Sequence, residues 1–268
     1  MLIAGSALKG YAIEASDGRL GSVKTVLFDD QSWNIRWLVI DTGHWLSGRQ
    51  VLVHPSAIAQ VDVAAEALHL ALTKAQIEAS PDIERDQPVT MQMESQLHSY
   101  YGWDPYRAPN FYGAGLIGAG TMGLGMPGLG VNGGYGGPSL SGQQEMAEDT
   151  IQMRSDDGDP HLRSMSSVTG YHILATDGEI GHVENFLIED TTWSIRYLII
   201  DTQNWWPGEH VLMSPYAVKS IDYTNEQVQV TVTRAQVKSN PSWDPAKIID
   251  EAYERQLHGH YGWPGYGW

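Results

Sequence analysis

The amino-acid sequence predicts a mainly β protein with two small antiparallel β-barrels, each followed by short α-helices and joined by a glycine-rich linker. Three observations support this fold class. The chain repeats itself without gaps, each copy is a series of short strand-like runs separated by turn residues, and a glycine-rich stretch lies between the copies. Short strands with frequent turns and no regular alternation with helices are typical of small barrels and rolls.

The repeat appears as a constant offset of 160 residues, which aligns Asp41 with Asp201. The segment QLHSYYGW, which ends at Trp103, returns as QLHGHYGW, which ends at Trp263. This period is much longer than that of solenoid repeats. The sequence therefore indicates a duplicated domain, with each copy large enough to hold its own core.

The domain boundaries follow from the repeat. We predict repeat 1 over residues 1–104, a linker over residues 105–164 and repeat 2 over residues 165–268. Glycine dominates residues 113–142 and loses much backbone entropy when ordered, so we interpret the linker as a flexible tether. A membrane-seeking or self-associating segment is the alternative interpretation.

Each repeat opens with a hairpin signal, because Asp17 and Asp177 each precede a glycine between two strand-like runs. Further short strands follow, and helical patterns appear only near the end of each copy. Thr73 and Thr233 are predicted to cap a first short helix. A second helix is expected near residues 89–100 in repeat 1, with its counterpart near residues 246–258.

A strand with the sequence IRWLVID is apolar on both faces, and its counterpart is IRYLIID. Such a strand is normally covered on both sides. From simple alternation we expect the side chains of repeat 1 to divide into Ile35, Trp37 and Val39 on one face and Leu38 and Ile40 on the other. The second face must then meet a helix, the tether or the neighbouring barrel.

Composition limits the classes of partner. The formal net charge of −16 disfavours nucleic acid and anionic lipid, since both are bound through clustered basic side chains. The chain has no cysteine, which excludes disulfides and thiol chemistry. We find no signal-peptide pattern and no run of about 20 apolar residues that would predict a membrane span, so a cytoplasmic location is expected.

The segments DGRLGSVKTVLFDD, LTKAQIEASPDI and ESQLHSYYGW, with DGEIGHVENFLIED and VLMSP in the second copy, resemble the PRC-barrel family. That family is named for the cytoplasmic domain of the photosynthetic reaction-centre H subunit, and the resemblance extends to stand-alone bacterial members. It implies two PRC-type barrels that act as adaptors between proteins. The membrane helix that precedes the H-subunit barrel has no counterpart here, nor does the RNA-processing domain that accompanies the barrel in a ribosome-maturation factor.

Histidines near the end of each repeat are the weak candidates for a metal site. His258 and His260 lie two residues apart, His98 is the counterpart of His258, and Glu94 or Glu254 could add a carboxylate. Because His260 aligns with a tyrosine, the pair is not shared between repeats. A capping or packing role is the favoured interpretation, and we predict neither a metal nor another cofactor.

Six carboxylates are candidate general acids or bases, namely Asp17, Asp30 and Asp41 with their counterparts Asp177, Asp190 and Asp201. Their positions beside turns and strand ends favour hydrogen bonds to local backbone amides instead. Arg36 and Arg196 lie in mid-strand and are expected to pair with an acidic side chain across the sheet. No phosphate-binding glycine motif and no ordered catalytic triad is recognisable, so an enzyme is not predicted.

Aromatic residues are the candidate interface anchors, and they are Trp45, Tyr101, Trp103, Trp205, Trp206, Tyr261 and Trp263. Such rings either pack against their own barrel or anchor an interface. We expect the repeated final helix and its YGW ending to cover an open apolar face of its own or the sister barrel.

The sequence thus favours a non-catalytic protein-interaction scaffold with an unidentified protein partner. We expect the two barrels to pair within the chain or to form a homo-oligomer. The alternative is a small-molecule or metal-binding protein, perhaps an enzyme, with its pocket between the barrels. A third interpretation is a factor that acts at a membrane surface.

Overall fold

The computed structural model describes residues 1–43, 45–46, 49–80, 91–103, 159–202, 210–241, 243–244 and 248–266. The glycine-rich stretch 113–142 lies outside the described residues. Within them, no helix is both long enough and apolar enough to cross a membrane.

The protein is mainly β. Repeat 1 supplies strands β1 (Leu2–Ala4), β2 (Ala12–Ala15), β3 (Gly18–Asp29), β4 (Ile35–Asp41), β5 (Gln50–Val53), β6 (Ile58–Asp62) and β7 (Ala67–Leu70). The second half of the chain supplies β8 (Leu162–Ser164), β9 (His172–Ala175), β10 (Gly178–Glu189), β11 (Ser194–Asp201), β12 (His210–Met213), β13 (Val218–Asp222) and β14 (Gln227–Val230).

The helices are short and occupy equivalent places in the two repeats. They are α1 (Gly5–Leu8), α2 (Lys74–Glu78), α3 (Met91–Tyr101), α4 (Met165–Val168), α5 (Arg234–Lys238) and α6 (Glu251–Tyr261), with 3-10 turns η1 (Pro55–Ala57) and η2 (Pro215–Ala217). The predicted caps are confirmed, because Thr73 and Thr233 each form a capping box with the glutamine three residues later.

The strands form two seven-stranded sheets. One has the order β5-β4-β3-β2-β7-β6 with β8 added on β3, and the other has the order β12-β11-β10-β9-β14-β13 with β1 added on β10. The described strands form no closed ring. The predicted antiparallel pairing holds for the other described strand pairs and fails at two, because β2 pairs parallel with β7 and β9 pairs parallel with β14. The 3-10 turns carry the chain from β5 into β6, and from β12 into β13, without reversing its direction. The next strand, β7 or β14, therefore runs parallel to β2 or β9.

A β-bulge corrects the predicted strand faces. Phe28 pairs with Ile35 and Leu27 pairs with Trp37, so Arg36 is the extra residue. Ile35 consequently packs with the other face, in the main core, and does not share a face with Trp37. The counterpart strand has the same bulge at Arg196, between pairs that involve Ile195 and Tyr197.

The repeats exchange their N-terminal strands. β1 pairs with β10, so Leu2 lies opposite Glu189 on repeat 2, and β8 pairs with β3, so Leu162 lies opposite Asp29 on repeat 1. We call residues 1–8 the arm of repeat 1 and residues 159–168 the arm of repeat 2. Residues 159–164 therefore belong to an ordered arm of the second repeat, although the sequence placed them in the linker.

A second set of contacts joins the repeats beside the exchanged strands. The backbone amide of Ile35 donates to the Trp193 carbonyl at 2.7 Å, and that of Ile195 donates to the Trp33 carbonyl at 2.8 Å. Both tryptophans have a left-handed backbone (φ 59° and 52°), which is unusual for a bulky residue and persists only where the surroundings enforce it. The matching contacts show that the halves form a pseudo-twofold pair.

Candidate functional site

A bulged arginine anchors the final helix of each repeat to its sheet. In repeat 1, Arg36 Nη1 lies 3.3 Å from Asp29 Oδ2 across the strand pair and 2.5 Å from Asp159 Oδ2 on the arm of repeat 2. Its other amino group bonds to Glu94 of α3, and the Trp37 indole also donates to that carboxylate. The predicted cross-strand ion pair is confirmed, and it extends to the helix and the arm.

Repeat 2 has the same anchor with different aromatic partners. Arg196 lies 2.9 Å from both Glu189 and Glu254, and the Tyr197 hydroxyl donates to Glu254 at 2.9 Å. The guanidinium also lies over the ring of Tyr266, 3.9 Å from the centroid. Arg196 and Glu254 are each 10% exposed, whereas Arg36 is 28% and Glu94 is 6% exposed, so the arginine is more buried in repeat 2 than in repeat 1.

The repeated YGW ending turns back at a glycine. Gly102 and Gly262 have left-handed backbones (φ 67° and 73°) just beyond α3 and α6. The amide of Trp103 bonds to the His98 carbonyl at 3.0 Å, which is the bond of a Schellman motif, and Trp263 makes the equivalent bond. The turn therefore aims each tryptophan back at its own helix and sheet.

The candidate aromatics at these endings lie against their own repeats. Tyr101 and Trp103 stack with centroids 4.2 Å apart and pack on the apolar cluster that contains Trp37. Tyr261 and Trp263 stack at 4.1 Å on the equivalent cluster of repeat 2. The helix and ending thus cover the second face of the sheet in each copy. Among the residues not at an ending, Trp45 packs partly buried on the core, whereas Trp205 and Trp206 lie outside the described residues.

The candidate metal ligands lie in separate places. His98 is surrounded by rings of repeat 1, those of Trp37, His54 and Trp103. In repeat 2, His258 donates from Nδ1 to the Pro264 carbonyl at 2.6 Å and contacts the Tyr197 hydroxyl, whereas His260 bonds to the Gln236 carbonyl at 2.9 Å. Across the described part of the chain, no group of three or more His, Cys, Asp or Glu side chains could hold a metal ion.

Burial shifts the pKa values of several of these groups. Burial, with His98 and Arg36 nearby, lowers the pKa of His54 from 6.5 to about 4. Burial also lowers the pKa of His258. For Glu94, burial raises the pKa although Arg36 opposes the shift. His54 is consequently neutral at pH 7.

The candidate acids have structural roles. Among the described residues, Asp17 and Asp177 accept from the backbone amides of Lys74 and Arg234, at 2.8 and 2.7 Å, so they hold the start of α2 and α5 and not the local turn amides that were predicted. Asp41 accepts from the Gly43 amide at 2.9 Å, as expected of turn chemistry.

Asp30 departs from the prediction that it bonds to local amides. Its neighbour Asp29 does so, accepting from two turn amides. Asp30 itself faces repeat 2, where it bonds to the hydroxyl of Tyr223, lies 2.9 Å from His161 Nδ1 and lies 3.4 Å from Arg163 Nε. The carboxylate of Asp30, at the end of its strand, therefore binds side chains of the second repeat and helps to join the two repeats.

This cluster lines a cavity of about 1130 Å³ that we call the seam cavity. Its walls come from the turn of repeat 1 at residues 30–34, the arm at residues 160–163 and repeat 2 on the far side. It also contains Tyr216, Lys219 and other polar side chains. Sequence reasoning placed a pocket between the repeats as an alternative but did not identify its residues. The available signal was that Tyr216 and Lys219 align with small, uncharged residues in repeat 1.

Two comparisons with known proteins give no relative. No protein-family model matches the chain, and no curated protein matches it.

Proposed function

We propose that the chain is a non-catalytic, cytoplasmic protein-interaction module made of two PRC-type barrels that are held as a pseudo-symmetric pair. The observation that carries this proposal is the reciprocal strand exchange, in which Leu2 pairs with Glu189 and Leu162 pairs with Asp29. Exchange makes each repeat complete only with its sister. The result is a fixed body that presents related surfaces twice, as in an isologous dimer.

The use made of the ionisable side chains supports an adaptor over an enzyme. The carboxylates that could serve acid–base chemistry cap helices, close turns or hold the exchanged arm. The ion pair between Arg196 and Glu254, with both side chains 10% exposed, attaches a helix to its sheet. Breaking a buried pair is costly, so such a pair is suited to maintaining a shape.

The test is affinity purification from a cell extract with the full-length chain as bait. A second bait carries Leu2→Cys and Glu189→Cys, which lock the exchanged strand to repeat 2. A rigid adaptor recovers the same partner at the same molar ratio, of one or two copies per chain, with either bait. Failure to recover any partner at a fixed ratio, together with turnover of a substrate by the purified chain, would refute the proposal.

A further inference from the structure

The duplication supplies an internal control for the seam cavity. Four charged or aromatic side chains of the cavity align with residues of repeat 1 that are neither charged nor aromatic. These pairs are Arg163 with Ile3, Tyr216 with Ser56, Lys219 with Ala59, and Tyr223 with Val63. Both copies fold into the same strands and turns, so the fold itself does not require the four side chains.

Two of the four side chains add positive charge to an acidic protein. Arg163 lies over the Tyr223 ring, 3.8 Å from its centroid, with Nε near the Asp30 carboxylate. This packing fixes the guanidinium at the cavity wall. Lys219 lines the same cavity from the exposed face of β13, and within the described part of the chain no carboxylate lies within ion-pair distance of it. The lining also holds Arg196 against two carboxylates, Asp30 and Glu189, so three cationic side chains face two acidic ones and the cavity wall is net positive. A net positive concave surface attracts an anion.

Tyrosine rings supply an apolar surface beside these cations. Tyr216 is 48% exposed and stacks on Tyr266, with centroids 5.7 Å apart. Both rings line the cavity. Stacked rings with one face open present a flat apolar surface to a planar ligand.

The contacts between the repeats explain only part of this arrangement. Arg163, Tyr223 and His161 hold Asp30 and so fasten the arm of repeat 2 to repeat 1. Lys219 and Tyr216 take no part in that fastening, and neither is buried. The cavity volume of about 1130 Å³ is comparable to that of small-molecule sites.

We propose that the seam cavity binds a small organic anion that combines a planar ring with a phosphate or carboxylate group. The ring lies on Tyr216, and the anionic group lies between Lys219 and Arg163. The pseudo-equivalent side of the molecule, with Ala59 and Ser56, lacks these groups. This site is additional to the interaction function and does not depend on it.

Isothermal titration calorimetry on the full-length chain tests the proposal with four probes. AMP joins a phosphate to a planar adenine through ribose, and indole-3-acetate joins a carboxylate to a planar indole. Adenosine and indole are their uncharged counterparts. We expect at least one of the two anions to bind with a micromolar Kd, and we expect that Kd to increase as the salt concentration rises. Its uncharged counterpart should bind at least about tenfold more weakly. Preference between AMP and indole-3-acetate distinguishes a phosphate from a carboxylate ligand.

Variants that copy the sister repeat provide the decisive comparison. Lys219→Ala and Tyr216→Ser each install the residue that repeat 1 already has, and each is expected to weaken anion binding by about tenfold. Lys238→Ala removes an exposed lysine from α5, outside the cavity, and is expected to bind as the wild type does. The proposal is overturned if neither anion binds at millimolar concentration, or if Lys219→Ala and Tyr216→Ser leave anion binding unchanged.

Discussion

The anchors that hold α3 and α6 to their sheets share one backbone arrangement but differ in the side chains around it. Both anchors pair a bulged arginine with the glutamate at the fourth position of the final helix. Trp37 of repeat 1 is replaced by Tyr197 in repeat 2. His54 of repeat 1 is likewise replaced by Ser214, whose hydroxyl contacts Tyr266 at 2.7 Å. The ion pair is kept while its aromatic surroundings change, which indicates that the arginine–glutamate contact determines where the helix docks.

The anchors also differ in how many acids serve the arginine. Arg36 has Asp29, Asp159 and Glu94, and it is partly exposed. Within the described residues, Arg196 has two carboxylate partners and is more buried. Removal of one carboxylate therefore leaves the Arg196 guanidinium with one acid, whereas the Arg36 guanidinium keeps two.

The largest expected effect comes from removing the anchoring glutamate. We expect Glu254→Ala to lower the free energy of unfolding by about 3 kcal/mol or more, because it leaves the Arg196 guanidinium buried with one acid. Glu94→Ala should cost about 1 to 2 kcal/mol, since Arg36 keeps two acids and water. Urea denaturation followed by tryptophan fluorescence measures both. Equal losses would contradict the proposed difference between the anchors.

The next effect sharpens the role of the tyrosine. Tyr197→Phe removes a hydroxyl that contacts both Glu254 and His258, at 2.9 and 3.0 Å, without changing the ring. A lost hydrogen bond to a buried charged group predicts a decrease of about 2 kcal/mol in the free energy of unfolding. Tyr253→Phe is the matched control, because within the described residues the Tyr253 hydroxyl donates only to a backbone carbonyl, at 3.2 Å. A larger loss in the control would exclude the anchoring role of Tyr197.

The glycine turn should behave identically in the two repeats. A Cβ at Gly102 or Gly262 would meet no atom of the described residues within 4 Å, so alanine there costs only the strain of a left-handed backbone, about 1 kcal/mol. Gly259→Ala, inside α6 and equally free of neighbours, should instead stabilise by up to about 1 kcal/mol. Thermal unfolding of the three variants measures these changes. Stabilisation by Gly262→Ala would mean that the Schellman turn does not form.

The smallest effect is a pH dependence that belongs to repeat 1. The folded state holds the pKa of His54 at about 4, below the ordinary value of 6.5. The unfolded chain therefore binds the proton first, so this contribution to stability is complete above about pH 6.5 and is lost as pH falls towards 4. After allowance for solvent screening, we expect the loss between pH 7 and pH 5 to be about 1 kcal/mol.

The matched variant for this prediction is His54→Ser, which installs the residue of repeat 2. Its urea midpoint should change less between pH 7 and pH 5 than that of the wild type. A change as large as that of the wild type would assign the pH dependence to other groups, such as His258, whose pKa burial also lowers.

Local signals in the sequence predicted much of each repeat. The repeated turn at Asp17, the cap at Thr73 and the helix that ends in YGW all appear where short-range chemistry places them. Such features depend on residues close in sequence, which a pattern can show. The parallel pairing of β2 with β7 depends on the direction in which a distant hairpin returns, so alternation could not reveal it.

The features that join the repeats were harder to predict. The bulge at Arg36 interrupts a strand whose residues alternate normally, and nothing in IRWLVID marks it. Strand β1 can choose between two equivalent apolar edges, at residues 27–29 of its own repeat and 187–189 of the sister repeat. The sequence pattern does not show which of the two edges it pairs with. The seam cavity depends on that choice, because Arg163 reaches Asp30 only when the arm lies on repeat 1.

Cysteine cross-linking tests the strand exchange most directly, because the chain has no native cysteine. Leu2→Cys is combined with Glu189→Cys on the sister repeat or with Asp29→Cys at the equivalent position of its own repeat. Paired positions on adjacent strands are close enough for a disulfide. The exchange predicts an intrachain disulfide in the Leu2–Glu189 variant and none in the Leu2–Asp29 variant; the reverse pattern would contradict it.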